Sequence, residues 1–423
     1  MGSLFNQEKR EVSEERRNKT YNEHISGISK AAVLCNSSMY GNSWAKMEFR
    51  LSYEKVLEVS DFFKENLQNN NFENNGIVYI GMDAGWAKMS DEQLADIARH
   101  CKANGQKAGI YFTPFSDWGK DPEAYINGNS GYKCKDAYLY ANGKTQNMVA
   151  GGLAMDPTHP AIKERIRETA ERFKRLGYEY IKIDFLTHGC AEADYYYDPE
   201  VQTGMQAYNK GMAYLLEQME GMYITMAISP LFPSQYAHSR RIACDAWAGI
   251  GDTEYTLNSL TYGWWLNQVY TYNDPDHLLL EPVSDGENRA RITSGVITGI
   301  FMNGDDLSYI SGIQVAKDKA RKFLTNEDIN AIAKMGKSFR PVNGNMDGAD
   351  FLFMHDTGKE VYLTAFNYSG YDLTYDLPLS RLGLRESSTY KAKELWSGKE
   401  VKFKKNVRVC IPKKDVLVFR ITR

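Results

Sequence analysis

What this chain lacks narrows its function before what it contains. Its six cysteines (Cys35, Cys101, Cys134, Cys190, Cys244 and Cys410) are scattered, with no C-x-x-C spacing of a redox or zinc site, so isolated thiols are expected. The seven histidines include no H-E-x-x-H and no pair at ligand spacing from a carboxylate, so no metal centre is expected. His188 and His277 lie near interesting segments but read as hydrogen-bonding or surface residues. There is no G-x-x-x-x-G-K-[ST] phosphate cradle and no G-x-S-x-G nucleophile elbow. No apolar run is long enough to span a bilayer. Net charge is only -3, and no basic stretch dominates, so neither nucleic acid nor an anionic membrane is an expected partner.

The N-terminal arm, residues 1–24, is highly charged and has no apolar stretch of the signal-peptide kind. It opens like a myristoylation site, but Asn6 stands where Ser or Thr is needed. As written the chain reads as cytoplasmic; a leader removed beforehand would make it secreted or periplasmic.

What is present is an alternation of short apolar strands with amphipathic helices. "AAVLCNSSMYGNSW", "GIVYIGMDAGW", "KAGIYFTPF", "YEYIKIDF", "MYITMAIS", "RRIACDAWAG", "HLLLEPV" and "TGIFMNGDDL" are eight strand candidates. Helix signals fall between them: Val56, Val59, Phe63 and Leu67 follow Ser52, Ser90 and Gln93 form a capping-box pattern, and a helix runs from Pro160 to the stop at Gly177. Eight such units over residues 25–337 predict a (β/α)8 TIM barrel, though a doubly wound α/β sheet would alternate similarly. A polar insertion interrupts the third unit over residues 116–152, and with "ADYYYDPE" it reads either as solvated loops or as a pocket wall. From residue 338 to 423 the pattern changes to period two, broken by Gly, Asp and Asn turns, which predicts a C-terminal antiparallel β-sandwich.

A barrel of this kind builds its site at the C-terminal ends of its strands. That filter selects Asp83 and Trp86 after strand two, Lys182 and Asp184 on strand four, and Arg241 and Asp245 around strand six. It adds Asp274 and Asp276 before strand seven, and Asp305 and Asp306 after strand eight. Lys182 and Asp184 share one face, because side chains two apart on a strand point the same way. Either they form a structural ion pair, or the lysine keeps the carboxylate ionised for nucleophilic or oxocarbenium-stabilising work. Arg241 and Asp245 can converge where a strand becomes a loop, whereas "NDPDH" is also what a tight turn would look like.

Taken in order, these segments resemble glycoside hydrolase clan D, the retaining α-galactosidase and α-N-acetylgalactosaminidase group of families 27 and 36. "YGNSW" resembles the clan's G-x-N-S-W, "MDAGW" its D-D-x-W, "YIKIDF" its K-x-D strand and "RIACD" its R-x-x-x-D segment. "NDPDHL" resembles N-D-P-D-M, and "FMNGDDL" its eighth-strand M-S-N-D-L. The resemblance runs from about residue 30 to 420. It implies a retaining exo-glycosidase that needs no cofactor or metal and acts on an oligosaccharide or glycoconjugate; homo-oligomerisation is left open. Asp184 would be the nucleophile and Asp245 the acid/base, with carboxyl groups about 5–5.5 Å apart. Trp44, Asp83, Trp86, Lys182, Ser229 and Arg241 would line the sugar site, and Asp276 would support them from behind. Asp252 is the reserve acid/base.

Two departures bear on the sugar. The second Asp of the clan's strand-two pair is Ala84 here, and "MAISPLFP" offers small Ser229 where α-galactosidases place a Glu that reads the 2-hydroxyl. The order that follows is α-N-acetylgalactosaminidase, then α-galactosidase, then β-L-arabinopyranosidase. Two other classes stay open: a silent carbohydrate-binding barrel, and an α/β oxidoreductase carrying nicotinamide or flavin.

Overall fold

The computed structural model of the chain describes residues 39–128, 131–344 and 347–423, so the N-terminal arm and Cys35 lie outside the described residues. Eight short parallel strands form one sheet: β1 Met39–Asn42, β2 Tyr79–Gly81, β3 Lys107–Phe112, β4 Tyr180–Ile183, β5 Tyr223–Met226, β6 Ser239–Arg241, β7 Tyr272–Asp274 and β8 Phe301–Asn303. Their order is β7-β6-β5-β4-β3-β2-β1-β8, and parallel bridges Asn273–Gly299 and Leu278–Asn303 join the two edges into a barrel. The helices lie outside: α1 Tyr53–Phe62, α2 Asp91–Ala103, α3 Pro160–Leu176, α4 Gly204–Gln218, α5 Ile250–Gly263 and α6 Asp285–Thr298, then α7 Gln314–Phe323 and α8 Glu327–Met335. Their starts are set by local chemistry: reciprocal capping boxes at Ser90–Gln93, Thr203–Gln206 and Ser284–Glu287 satisfy otherwise orphan backbone donors. Gly177, with φ of 97°, closes α3 in the left-handed conformation that glycine adopts without strain. One unit departs from the repeat, since β5 runs to β6 through residues 227–238 without a helix.

Tyrosines fill the base of the barrel. Tyr40 pairs in register with Tyr79, and Tyr180 with Tyr223, so four phenol rings meet in the interior at centroid separations of 5.1–6.1 Å. Gly109 lies beside Tyr180 in the sheet because a Cβ there would stand 2.0 Å from the Tyr180 ring. Two residues further along the inner face, Tyr111, Lys182 and Thr225 come into one row. The barrel floor is therefore aromatic, and charge begins one layer above it.

The seventh strand differs from expectation. The apolar run "HLLLEPV" is not a strand; β7 is Tyr272–Asp274, so Asp274 ends the strand and Asp276 follows it instead of both preceding it. Leu278, Leu279 and Leu280 are buried in the connection, with Leu278 N donating to Met302 O. A short apolar run signals burial, and burial alone does not separate a strand from a packed loop.

Downstream, eight antiparallel strands form the second sheet: β9 Arg340–Pro341, β10 Leu352–Asp356, β11 Glu360–Asn367, β12 Leu373–Pro378, β13 Thr389–Glu394, β14 Glu400–Lys404, β15 Asn406–Ile411 and β16 Asp415–Thr422, in the order β9-β10-β11-β16-β13-β14-β15-β12. Period two decides its packing. On β16, Val416 and Val418 join the core of the barrel, while Phe419 and Ile421 belong to a separate core within the sheet. Arg289 on α6 reinforces the contact, its Nε donating to Asp415 Oδ1 at 3.0 Å.

Candidate active site

Asp83, Lys182 and Asp184 meet at the C-terminal end of the barrel. Lys182 Nζ donates to Asp83 Oδ2 at 2.8 Å and stands 3.9 Å from Asp184 Oδ2. Asp83 is anchored in turn, since its backbone N–H donates to Ser43 Oγ and its Oδ1 accepts from Ala84 N, both at 2.9 Å. Asp184 Oδ1 accepts from Phe185 N at 2.8 Å. All three side chains are buried, where unpaired charge would cost several kcal/mol. Burial works against the charge of Lys182, but Asp83 and then Asp184 outweigh it and hold the ammonium above its ordinary value. Burial pushes the Asp184 carboxyl up, Lys182 pulls it back, and Asp83 pushes it up again.

A second cation organises the opposite wall. Arg241 donates from one terminal nitrogen to Asp245 Oδ1 at 2.8 Å and from the other reaches Asp276 Oδ1 at 3.1 Å. Asp276 Oδ2 accepts the Ala246 N–H at 2.9 Å, which fixes the backbone directly after Asp245. Burial would raise the Asp276 carboxyl, but Arg241 and then His277 overcome it and hold it far below the usual carboxylate range. His277 Nδ1 lies 3.2 Å from Asp276 Oδ1 without hydrogen-bond alignment, so its contribution is one of charge proximity. The Asp245 side chain is 48% exposed, against 10% for Asp184. The two carboxylates thus differ in environment: one is sunk beside a lysine, the other stands open beside an arginine.

Both carboxylates line one cavity of about 740 Å³, together with Trp44, Asp83, Trp86 and Lys182. That volume falls within the roughly 300–1,000 Å³ typical of small-molecule sites. Arg241 and Asp276 do not line it; they hold Asp245 from behind. Ser229 also falls outside the wall, because its neighbour Ile228 turns into the cavity instead. Ser229 is buried, with its carbonyl accepting from Arg240 at 2.7 Å. Trp86 presents less free surface than expected: Arg172 lies 5.5 Å over its ring, and its Nε1 donates to Tyr111 O at 2.8 Å. Asp252 caps α5 by accepting from Gly249 N, and Asp305 accepts from Leu280 N, so both carry local structure.

Several lining residues were missed in the sequence. Tyr111 sits in register with Lys182, and its phenol is held protonated well past its ordinary range by burial and then by the nearby charge of Asp184. Trp118 and Ala150 bring the 116–152 insertion into the cavity wall, with Trp118 edge-on to Phe185 at 4.6 Å. Phe185 and Ile228 both hold left-handed backbone, with φ of 55° and 41°, and both line the cavity. Positive φ at a β-branched residue is a genuine outlier, and such strain collects at functional sites. Among the described residues no group of three His, Cys, Asp or Glu side chains is placed to hold a metal ion. None of the described helices is long and apolar enough to cross a membrane.

Known proteins share this fold. The family model "Alpha galactosidase C-terminal beta sandwich domain" matches residues 353–421. Alpha-galactosidase A of Aspergillus niger is 23% identical over 411 residues, covering 93% of this chain and 70% of that one. A family 27 β-L-arabinopyranosidase from Geobacillus stearothermophilus superposes with a TM-score of 0.70 at 13% identity, covering 92% of this chain and 96% of the other. Alpha-galactosidase I from Mortierella vinacea gives 0.64 at 13% identity, covering 92% and 97%. The structural likeness is one of fold; the sequence match and the family model add descent. On these grounds the C-terminal sheet matches the α-galactosidase C-terminal β-sandwich domain, and the chain as a whole is an α-galactosidase-like glycoside hydrolase, similar in sequence to an α-galactosidase and in fold to family 27 enzymes.

Proposed function

We propose that the protein is a retaining exo-glycosidase that removes a terminal α-linked, galacto-configured sugar, with α-N-acetylgalactosaminides as the first substrate class. The observation that carries this reading is the pair of carboxylates on one cavity, Asp184 beside the lysine it shares with Asp83 and Asp245 bonded to Arg241. In the proposed reaction Asp184 attacks the anomeric carbon and displaces the leaving oxygen, which takes its proton from Asp245. The resulting glycosyl-aspartate is opened by water after Asp245 removes a proton from it, so the product keeps its anomeric configuration. Asp83 and Lys182 offer an acceptor and a charged donor to sugar hydroxyls, and Trp44 offers an apolar face.

The apolar Ile228 on the wall supports a substituent such as an acetamido methyl there, which ranks this sugar above unmodified galactose. Ala84 supports a second reading, a β-L-arabinopyranoside, because a carboxylate is missing where an exocyclic hydroxymethyl group would need a partner. A panel of 4-nitrophenyl α-GalNAc, α-galactoside and β-L-arabinopyranoside, with the product anomer followed by NMR, tests the reading. Retention with α-GalNAc cleaved fastest is the expected result. Inversion would remove the covalent mechanism, and binding of every sugar without hydrolysis would leave only a lectin-like barrel.

A further inference from the structure

One face of α3 forms part of the cavity wall, and its charges are not alike. Arg165, Thr169, Arg172 and Phe173 line the cavity and stand at the i, i+4, i+7, i+8 positions of one helical stripe. Arg172 is neutralised by Asp91, 2.6 Å away. Lys182 is paired with Asp83, and Asp245 with Arg241. Among the described residues, Arg165 is the one cation lining the cavity with no carboxylate within ion-pair distance.

The guanidinium of Arg165 is held by neutral acceptors. Its terminal nitrogens donate to Thr113 O at 3.0 Å and Ser116 O at 3.3 Å, and it lies 5.4 Å over the Phe112 ring. These contacts fix its orientation without cancelling its charge. A guanidinium carries five N–H donors in a planar fork suited to carboxylate, sulfate and phosphate oxygens. A cation kept in a sheltered wall without a counterion attracts an anion more strongly than the same group in open water. The two arginines are seven residues apart, about 10 Å along the helix, so Arg165 occupies its own position on the wall.

We infer that Arg165 is the receptor for an anionic substituent on the substrate, so that the preferred glycoside carries a carboxylate, sulfate or phosphate group beside its terminal neutral sugar. This rests on the exo-glycosidase reading, and its test separates the two. Terminal α-GalNAc or α-galactoside linked to a neutral hexose, to a uronic acid, to a 6-sulfated hexose and to a 6-phosphorylated hexose would be compared at low and high salt. At low salt KM should fall by about tenfold for at least one anionic partner, the scale of one charge-assisted hydrogen bond, with kcat little changed. The advantage should shrink at high salt, vanish in Arg165→Met and survive in part in Arg165→Lys. Which anionic partner gains identifies the group recognised.

Equal KM values for neutral and anionic partners in the wild-type enzyme would overturn the inference without reference to any variant. An anionic preference that persists undiminished in Arg165→Met would do the same. Should Arg165→Met not fold, the wild-type comparison, its salt dependence and Arg165→Lys decide the matter. If none of the glycosides is cleaved, the function reading fails, while equilibrium binding of the same four compounds still reads the charge preference.

Discussion

At the scale of single residues the site divides by what each carboxylate is asked to do. Asp184→Asn and Asp245→Asn should each lower turnover by at least about a thousandfold while leaving the melting temperature and circular dichroism close to wild type. If Asp184 is the nucleophile proposed above, it must be ionised, and because burial raises its carboxyl the acid limb of kcat/KM should lie above the ordinary aspartate value. Lys182→Met removes the charge that pulls this carboxyl back, so the acid limb should move further toward alkaline pH in a pH–rate profile. Asp305 provides a stability counterpart: burial pushes its carboxyl up to about 6, so the fold loses stability as pH rises from the ordinary aspartate range to about 6, and the loss stays constant above that. Asn at 305 can still accept from Leu280 N, and Asp305→Asn should therefore gain melting temperature relative to wild type as pH rises from about 4 to about 6, by about 2–3 °C, with no further gain above that. Asp83, Lys182, Asp184 and Asp245 were legible because charge at the end of an apolar barrel strand is costly to bury and points to the barrel mouth. Tyr111 and Ile228 were not, since each sits inside an apolar run that reads as core.

At the scale of elements, the legible features were those with a strong local cause. Ser90 and Gln93 announced a capping box and Gly177 announced a helix end, and both stand in the structure. The cavity face of α3 was hidden, because Ile162, Ile166, Phe173 and Leu176 mark the buried stripe while Arg165 and Arg172 look like ordinary surface charges. The 227–238 connection concerns strain. Ile228 holds a φ of 41° while Thr187 N donates to its carbonyl at 2.9 Å, tying the connections after β4 and β5 together. Replacing it by Gly removes the steric cost of that conformation, so Ile228→Gly should gain about 1 kcal/mol of stability in denaturant unfolding, less what the lost packing takes back. The same change should narrow the preference between the sugars of the panel, because it removes the apolar wall. A stable variant with unchanged sugar selectivity would show that Ile228 serves the loop and not the pocket.

At the scale of the whole molecule, barrel and second sheet share a core, since Val416 and Val418 belong to the barrel's own cluster, and the two are expected to unfold together. Asp415→Ala, which strands Arg289, should cost about 2–3 kcal/mol and lower one unfolding transition without splitting it in two, as read by calorimetry. The period-two alternation that revealed the sheet is the feature that lets it face two cores, so its existence was legible and its sharing of the barrel core was not. The tyrosine floor has a consequence of another kind. Burial, and then the neighbouring phenols, keep Tyr40 protonated well past its ordinary range, and burial followed by the charge of Asp274 does the same for Tyr180. The unfolded chain ionises these phenols near pH ~10, whereas the closed barrel cannot. Alkali should therefore pry the barrel open, and the phenolate absorbance of its floor should appear in the same step as the loss of structure: the enzyme carries a built-in optical report on whether its barrel is shut.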